Sequence, residues 1–160
     1  MINIYVTHIR PLIDYASPLW NMGYVGDLKL LEGIQRRWTR SIDGLDGLSY
    51  DERLRKLDLF SLKGRLLRAD LIIVWKIFNG KCAISVDDLF KLSPCITTRG
   101  HSRKISVPKS KSDLRHRFFA VRVVKEWNSL SAETVEANTL AKFKRLLLID
   151  LGQKLYEYHG

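Results

Sequence analysis

The sequence predicts a mainly α-helical fold: a small bundle of short amphipathic helices around a central helix, with a long basic loop. Three observations predict it. Apolar residues recur at helical spacing through most of the chain. Residues 61–80 are apolar almost all the way round in their second half, which only a helix enclosed by other elements tolerates. Residues 97–112 have no helical period, and they hold Gly100, Pro108 and scattered Ser, Lys and Arg.

The central stretch defines its own ends. Ser61 can accept hydrogen bonds from the first helical amides, and Gly80 can close the last turn in the left-handed conformation. Between them Leu62, Leu66, Ala69, Ile73 and Ile77 form one apolar row, and Leu67, Leu71, Val74 and Phe78 a second, widened by Ile72 and Trp75. The remaining stripe, Arg65, Arg68, Lys76 and Asn79, is basic.

Before it, Ile2, Tyr5, Ile9, Leu12, Ile13 and Ala16 share one helical side, and Pro11 either kinks that helix or restarts it from the first turn. The segment opens apolar and uncapped at Met1, as a fragment of a longer protein would. Ser17-Pro18 is expected to stop it. Asp27 then caps a second helix with Leu28, Leu31, Ile34, Trp38 and Ile42 inward and Lys29, Arg36, Arg37 and Arg40 away from that face. Gly44 and Gly47 mark a loop, and Ser49 with Glu52 forms a capping box for a short helix to about Leu57.

After the central helix a short helix is expected at Asp87–Leu92 with Asp87 as its cap, then the exposed loop of 97–112 with one strand at Lys104–Val107. Helical spacing resumes at Asp113 or Leu114 with Phe118, Val121, Val124 and Trp127, and ends at Asn128-Ser129. A last helix runs from Thr139 towards Tyr156 with Leu140, Phe143, Leu147, Leu151 and Leu155 inward.

A chain of 160 residues, 46% hydrophobic and 10% aromatic, has the size and composition of one globular domain spanning 1–160. It holds no apolar run near the ~18 residues that cross a bilayer, and its start lacks a signal peptide. An intracellular protein, nuclear or cytoplasmic, is therefore expected, with Cys82 and Cys95 reduced. Lys and Arg number 27 against 17 Asp and Glu, a net charge of +10. Residues 99–117 alone hold seven Lys and Arg against one acid, the footprint of a polyanionic partner, RNA or DNA.

A set of short motifs in fixed order carries a resemblance. It comprises Arg10-Pro11-Leu12-Ile13-Asp14-Tyr15-Ala16-Ser17 with Trp20-Asn21, Leu31-Glu32, Gln35-Arg36-Arg37, Thr39-Arg40, and Tyr50 with Glu52-Arg53-Leu54. Then come Leu57, Leu59, Leu62, Arg65, Asp70-Leu71-Ile72, Lys76-Ile77, Gly80, Thr98-Arg99-Gly100-His101, Phe118-Phe119, Arg122-Val123-Val124, Trp127-Asn128-Ser129-Leu130 and Phe143-Lys144. In these residues the chain resembles the region downstream of the polymerase palm in non-LTR, LINE-type retrotransposon reverse transcriptases, especially jockey-like ones. Met22, Gly64 and Ser131 depart from that pattern: the family usually has a proline, an arginine and a proline there. They read as drift.

The resemblance implies an RNA-directed DNA polymerase as the full-length relative, but the polymerase's metal-binding carboxylates are not expected here. Its aromatic-X-Asp-Asp turn has no counterpart: Asp87-Asp88 follows Ser85-Val86, without flanking strands. Zinc is not expected from Cys82, Cys95, His101 and His116, whose gaps of 12, 5 and 14 residues lack the close ligand pairs of structural sites. No nucleophile elbow or phosphate-cradling glycine loop occurs. The expectation is a non-catalytic chain with no cofactor, metal or small-molecule substrate.

The candidate nucleic-acid contacts are Arg99, His101, Arg103, Lys104, Lys109, Lys111, Arg115 and Arg117 in and after the loop, and secondarily Arg36, Arg37, Arg40, Arg65 and Arg68 on helices. The four tryptophans read as core residues. The competing reading is a helical protein-interaction module, or an inert remnant whose apolar faces packed against a polymerase palm. Membrane-surface binding through Lys142, Lys144, Arg145 and Lys154 on the last helix is the weakest alternative.

Overall fold

A computed structural model describes residues 4–21, 23–94, 100–109 and 112–158. The fold is mainly helical. Its elements are a π-helical turn Tyr5–Ile9, α1 (Arg10–Asp14), α2 (Ser17–Trp20), α3 (Val25–Arg40), α4 (Tyr50–Lys56), α5 (Leu62–Phe78), α6 (Val86–Leu89), α7 (Asp113–Arg117), α8 (Phe119–Ser129), α9 (Ala132–Val135), α10 (Leu140–Leu151) and a 3₁₀ turn Gly152–Leu155. Among the described residues there is no β-strand: the strand expected at Lys104–Val107 reduces to one antiparallel bridge between Leu92 and Ile105. The chain divides into two compact units, Met1–Leu67 with Gln153–Gly160, and Arg68–Gly152. The division falls inside α5.

The ends of α5 follow from their residues. Ser61 Oγ accepts from the Gly64 amide at 3.1 Å. At the other end Gly80 has φ +61°, its amide reaches the Ile77 carbonyl at 3.2 Å and the Lys81 amide the Lys76 carbonyl at 2.8 Å, a Schellman closure.

In the first unit the π-helical turn ends with the Arg10 amide on the Tyr5 carbonyl, just before Pro11, which has no N–H to continue an α ladder. Ser17-Pro18 does not end the helical segment. Ala16 turns left-handed at φ +50°, and Ser17 and Pro18 open α2, where the missing proline N–H costs nothing. Asp27 is not a cap either: it lies in the first turn of α3, which begins after Tyr24. The capping box of Ser49 and Glu52 forms as expected.

The buried stripe of α3 is polar. Glu32, Gln35 and Thr39 are enclosed, while Leu28, Leu31, Ile34, Trp38 and Ile42 are half-buried. Each buried polar group has partners. Glu32 accepts from the Tyr50 hydroxyl and from the Leu62 amide at 2.6 Å. Gln35 Oε1 accepts from the Tyr5 hydroxyl at 2.7 Å, and its amide donates to the Phe60 carbonyl at 3.0 Å. Thr39 Oγ1 accepts from Arg53 at 3.3 Å. Beside this network Tyr50, Leu54 and Leu59 form an apolar cluster with Trp38, Leu57, Tyr156 and Tyr158 around it.

Gly64 sits against the C-terminal segment. A methyl group there would stand 2.4 Å from the Leu155 carbonyl oxygen and 2.7 Å from its Cα. The position demands glycine for close approach, which corrects its reading as drift. Ser131 also has a use that proline could not serve: its amide donates to Asp150 at 2.9 Å and its hydroxyl caps α9. Met22 lies outside the described residues.

The second unit is built on aromatic packing. Trp75 stacks on Phe143 with centroids 5.5 Å apart, and Phe78 on Trp127 at 5.1 Å. The helix expected from Asp113 is broken into α7 and α8 at Phe118, whose ψ of 141° is extended, and Phe118 is exposed rather than inward. The last helix keeps Phe143, Leu147 and Leu151 inward as expected, but ends at Leu151, where Gly152 turns at φ +45° into the 3₁₀ turn that buries Leu155. Ser85, not Asp87, precedes α6, and the Asp88 carboxylate accepts from the Ser85 amide at 2.8 Å. Trp75 and Trp127 are core residues, Trp38 is half-buried and Trp20 is 37% exposed.

Candidate nucleic-acid interface

The basic loop is held to the second unit by its backbone. Residues 100–109 contain few apolar side chains, so hydrophobic burial alone could not order them. Hydrogen bonds to the end of α8 do so. The Ile105 amide donates to Asn128 Oδ1 at 2.9 Å, Asn128 Nδ2 donates to the Ile105 carbonyl at 2.7 Å, and the Trp127 indole donates to the Arg103 carbonyl at 2.8 Å. On the other side the Ser93 amide reaches the Lys104 carbonyl at 2.9 Å and the Ser106 amide the Lys91 carbonyl at 2.7 Å.

Two side chains of the loop turn inward, against the expectation of an exposed segment. Ile105 is 2% exposed and His101 4%. His101 Nε2 lies 3.0 Å from the Trp127 carbonyl, which only accepts, so Nε2 carries a proton and donates it there. Burial pushes its pKa down, and the neighbouring Lys104 and Arg103 charges add to that against Glu136 and the Trp127 carbonyl. Buried and bonded to the Trp127 carbonyl, His101 serves as a loop anchor.

The remaining candidates fall into three groups. Lys109 and Arg115 are exposed, and Arg103, Lys104 and Arg117 are half-buried. Arg103 extends its guanidinium to Asn79 at 3.4 Å. Arg99 and Lys111 lie outside the described residues, as does Cys95. In the first unit Arg36, Arg37 and Arg40 are exposed on α3, as expected. With Asp46, Leu48 and Arg53 they line an open concavity of about 340 Å³, and the Arg36 guanidinium lies 5.9 Å from the Tyr50 ring centroid.

Arg65 does not face outward. It is 6% exposed, donates to Asp14 at 3.0 Å and to Gln35 and the Phe60 carbonyl, and so joins the polar network of the first unit. Arg68 is half-buried and engaged with neighbouring groups. Arg65 is an internal tether, because its donors are taken up inside the fold and are not offered to a phosphate.

Sequence spacing missed the clamp. Asn128 and Trp127 carry it, and the signal was a polar Asn beside an indole at a helix end, where both have donors that burial obliges to find partners. It also missed the bidentate pair of Arg122 with Asp70, at 2.8 and 3.0 Å. Asp70 is buried, which raises its pKa, and Arg122 opposes that rise. Of the metal candidates, Cys82 is a free, half-buried thiol and His116 is exposed on α7. Asp87 and Asp88 are exposed in the first turn of α6.

Among the described residues no helix is long and apolar enough to cross a membrane. Comparison with protein-family models, with curated proteins and with solved structures finds no match to this chain.

Proposed function

We propose that the chain binds RNA or DNA through the phosphate backbone, using Arg103, Lys104, Lys109, Arg115 and Arg117, and itself catalyses nothing. One observation carries this reading. The loop backbone is pinned at Arg103 and Ile105 by Trp127 and Asn128, the Lys109 side chain of that loop remains in solvent, and Arg115 is exposed on α7, so the surface presents cations to a polyanion. The resemblance to the post-palm region of LINE-type reverse transcriptases gives the reading its context: a segment that holds template RNA or target DNA for a polymerase palm.

Salt-titrated binding of labelled RNA, single-stranded DNA and duplex DNA tests it, with a variant carrying Arg103→Ala, Lys104→Ala, Arg115→Ala and Arg117→Ala. The expected result is a linear fall of log K with log salt. Each single-strand phosphate contact removed by the variant lowers the slope by about 0.7. Equal binding by the two proteins would sink the proposal.

A second reading has its own observation. In the first unit Leu12, Tyr15, Leu19 and Leu30 are 80, 79, 83 and 74% exposed, apolar side chains that a partner surface could cover. That favours a helical interaction module or a packing remnant. Self-association in sedimentation, abolished by Leu12→Glu with Leu19→Glu, is its expected signature.

A further inference from the structure

Phe118 occupies the break between α7 and α8, and it is 53% exposed although its sequence position matches the inward row of α8. With Leu114, itself 51% exposed, and with Ala120 and Val121, it lines an apolar notch of about 510 Å³. Its other lining residues are Ser112 and Arg115. Between 109 and 117 the described charged residues are Lys109, Asp113, Arg115 and Arg117, with His116 beside them, so an aromatic face and an apolar floor stand within a cationic stretch.

We propose that this notch holds an unpaired base of a single-stranded nucleic acid, stacked on Phe118, with Arg115 taking a neighbouring phosphate. The proposal rests on the nucleic-acid reading above and specifies its substrate class. A ligand suited to the notch has to combine a flat apolar group with negative charge, and a nucleotide does. An apolar peptide would satisfy the floor but bring no negative charge to Arg115 in the lining. A duplex keeps its bases stacked inside and cannot offer one to the ring. The notch is open to solvent, so a base can enter it from an unpaired strand. Stacking on an aromatic side chain is tolerant of sequence, so no base preference is expected.

The test is fluorescence anisotropy with three labelled probes of one length: a single-stranded oligonucleotide, an abasic sugar-phosphate strand and a duplex. Phe118→Ala is expected to weaken single-strand binding about tenfold with an unchanged salt slope, and to leave the abasic strand and the duplex unaffected. Phe118→Trp is expected to retain binding. Because Phe118 is half exposed its truncation should leave the fold intact, and Phe118→Leu, which keeps the apolar bulk and loses the flat face, is expected to repeat the loss. If Phe118→Ala binds the single strand as the parent does while the four-cation variant loses it, the phosphate reading stands and the base site is overturned. If the parent protein binds none of the probes, both fall.

Discussion

Asn128 and Ile105 exchange two hydrogen bonds, amide to Oδ1 at 2.9 Å and Nδ2 to carbonyl at 2.7 Å, so one side chain does for the loop what a neighbouring strand does in a sheet. Asn128→Ala would leave both backbone groups of a buried residue without partners, at a cost of about 1–3 kcal/mol for each group left unsatisfied. Asn128→Asp keeps the acceptor but sets a carboxylate against the Ile105 carbonyl, and should not rescue it. Urea unfolding measures the loss. Amide exchange at Ile105 should accelerate with it, and nucleic-acid binding should weaken though no cation has changed.

Two helical glycines should respond to alanine in opposite directions. In α3, nothing lies within 4 Å of a methyl group at Gly33, so Gly33→Ala gains helix propensity and lower unfolded-state entropy, about 0.5–1 kcal/mol. At Gly64 the same gain is overwhelmed, since the new methyl would meet backbone of Leu155 at 2.4 Å and no flexible side chain can yield. Gly64→Ala should therefore destabilise by more than about 1 kcal/mol, as overpacking commonly does. Thermal melts of the two variants settle it, and a stabilised Gly64→Ala would refute the requirement for close approach.

The features legible in the sequence were those decided by neighbours in the chain. Ser61, Thr139 and the Ser49 box cap helices because their partners lie three residues on, and Gly80 closes α5 because a left-handed residue is cheap only as glycine. The inward row Phe143, Leu147 and Leu151 is likewise local periodicity. On α3 the period was legible but not its phase. Apolarity pointed to Leu31 and Ile34, whereas Glu32, Gln35 and Thr39 are buried because Tyr50, Leu62, Tyr5, Phe60 and Arg53 supply hydrogen bonds from distant positions. The basic character of the candidate site could be read from composition. That His101 and Ile105 anchor it could not, since their partners Trp127 and Asn128 lie 26 and 23 residues away.

The buried imidazole makes the loop sensitive to acid. The His101 pKa is lowered in the folded protein from an ordinary 6.5, so the unfolded chain takes the proton first. Its contribution to stability is present above pH 6.5 and is lost as pH falls below that value towards the folded pKa. His101→Gln can keep a donor for the Trp127 carbonyl without titrating. The stability difference between parent and variant, followed from pH 7.5 to 5, should shift in favour of the variant as pH falls. A difference independent of pH would mean that His101 does not titrate differently on folding. Taking the difference matters because Glu32 and Asp70, whose folded pKa values are raised, contribute with the opposite slope.

Glu32 carries the last prediction, because its carboxylate is 1% exposed and serves as a remote cap for α5 through the Leu62 amide while also accepting from Tyr50. Burial raises its pKa above 4.5, and the bonds from Tyr50 and Leu62, with the Arg65 charge, only partly offset that. A raised folded pKa means that its stabilising contribution is complete below about pH 4.5 and is lost as pH rises through the folded value. Glu32→Gln can accept from Leu62 and donate to the Tyr50 oxygen without burying a charge. It should match or exceed the parent in stability at pH 8 and lose that advantage as pH falls towards 4.5. Glu32→Ala, which orphans the Leu62 amide and the Tyr50 hydroxyl together, should cost about 2–4 kcal/mol at pH 8. Guanidinium unfolding of the three proteins at the two pH values reads both effects, and a Gln variant as damaged as the Ala variant would show that the charge itself is what α5 requires.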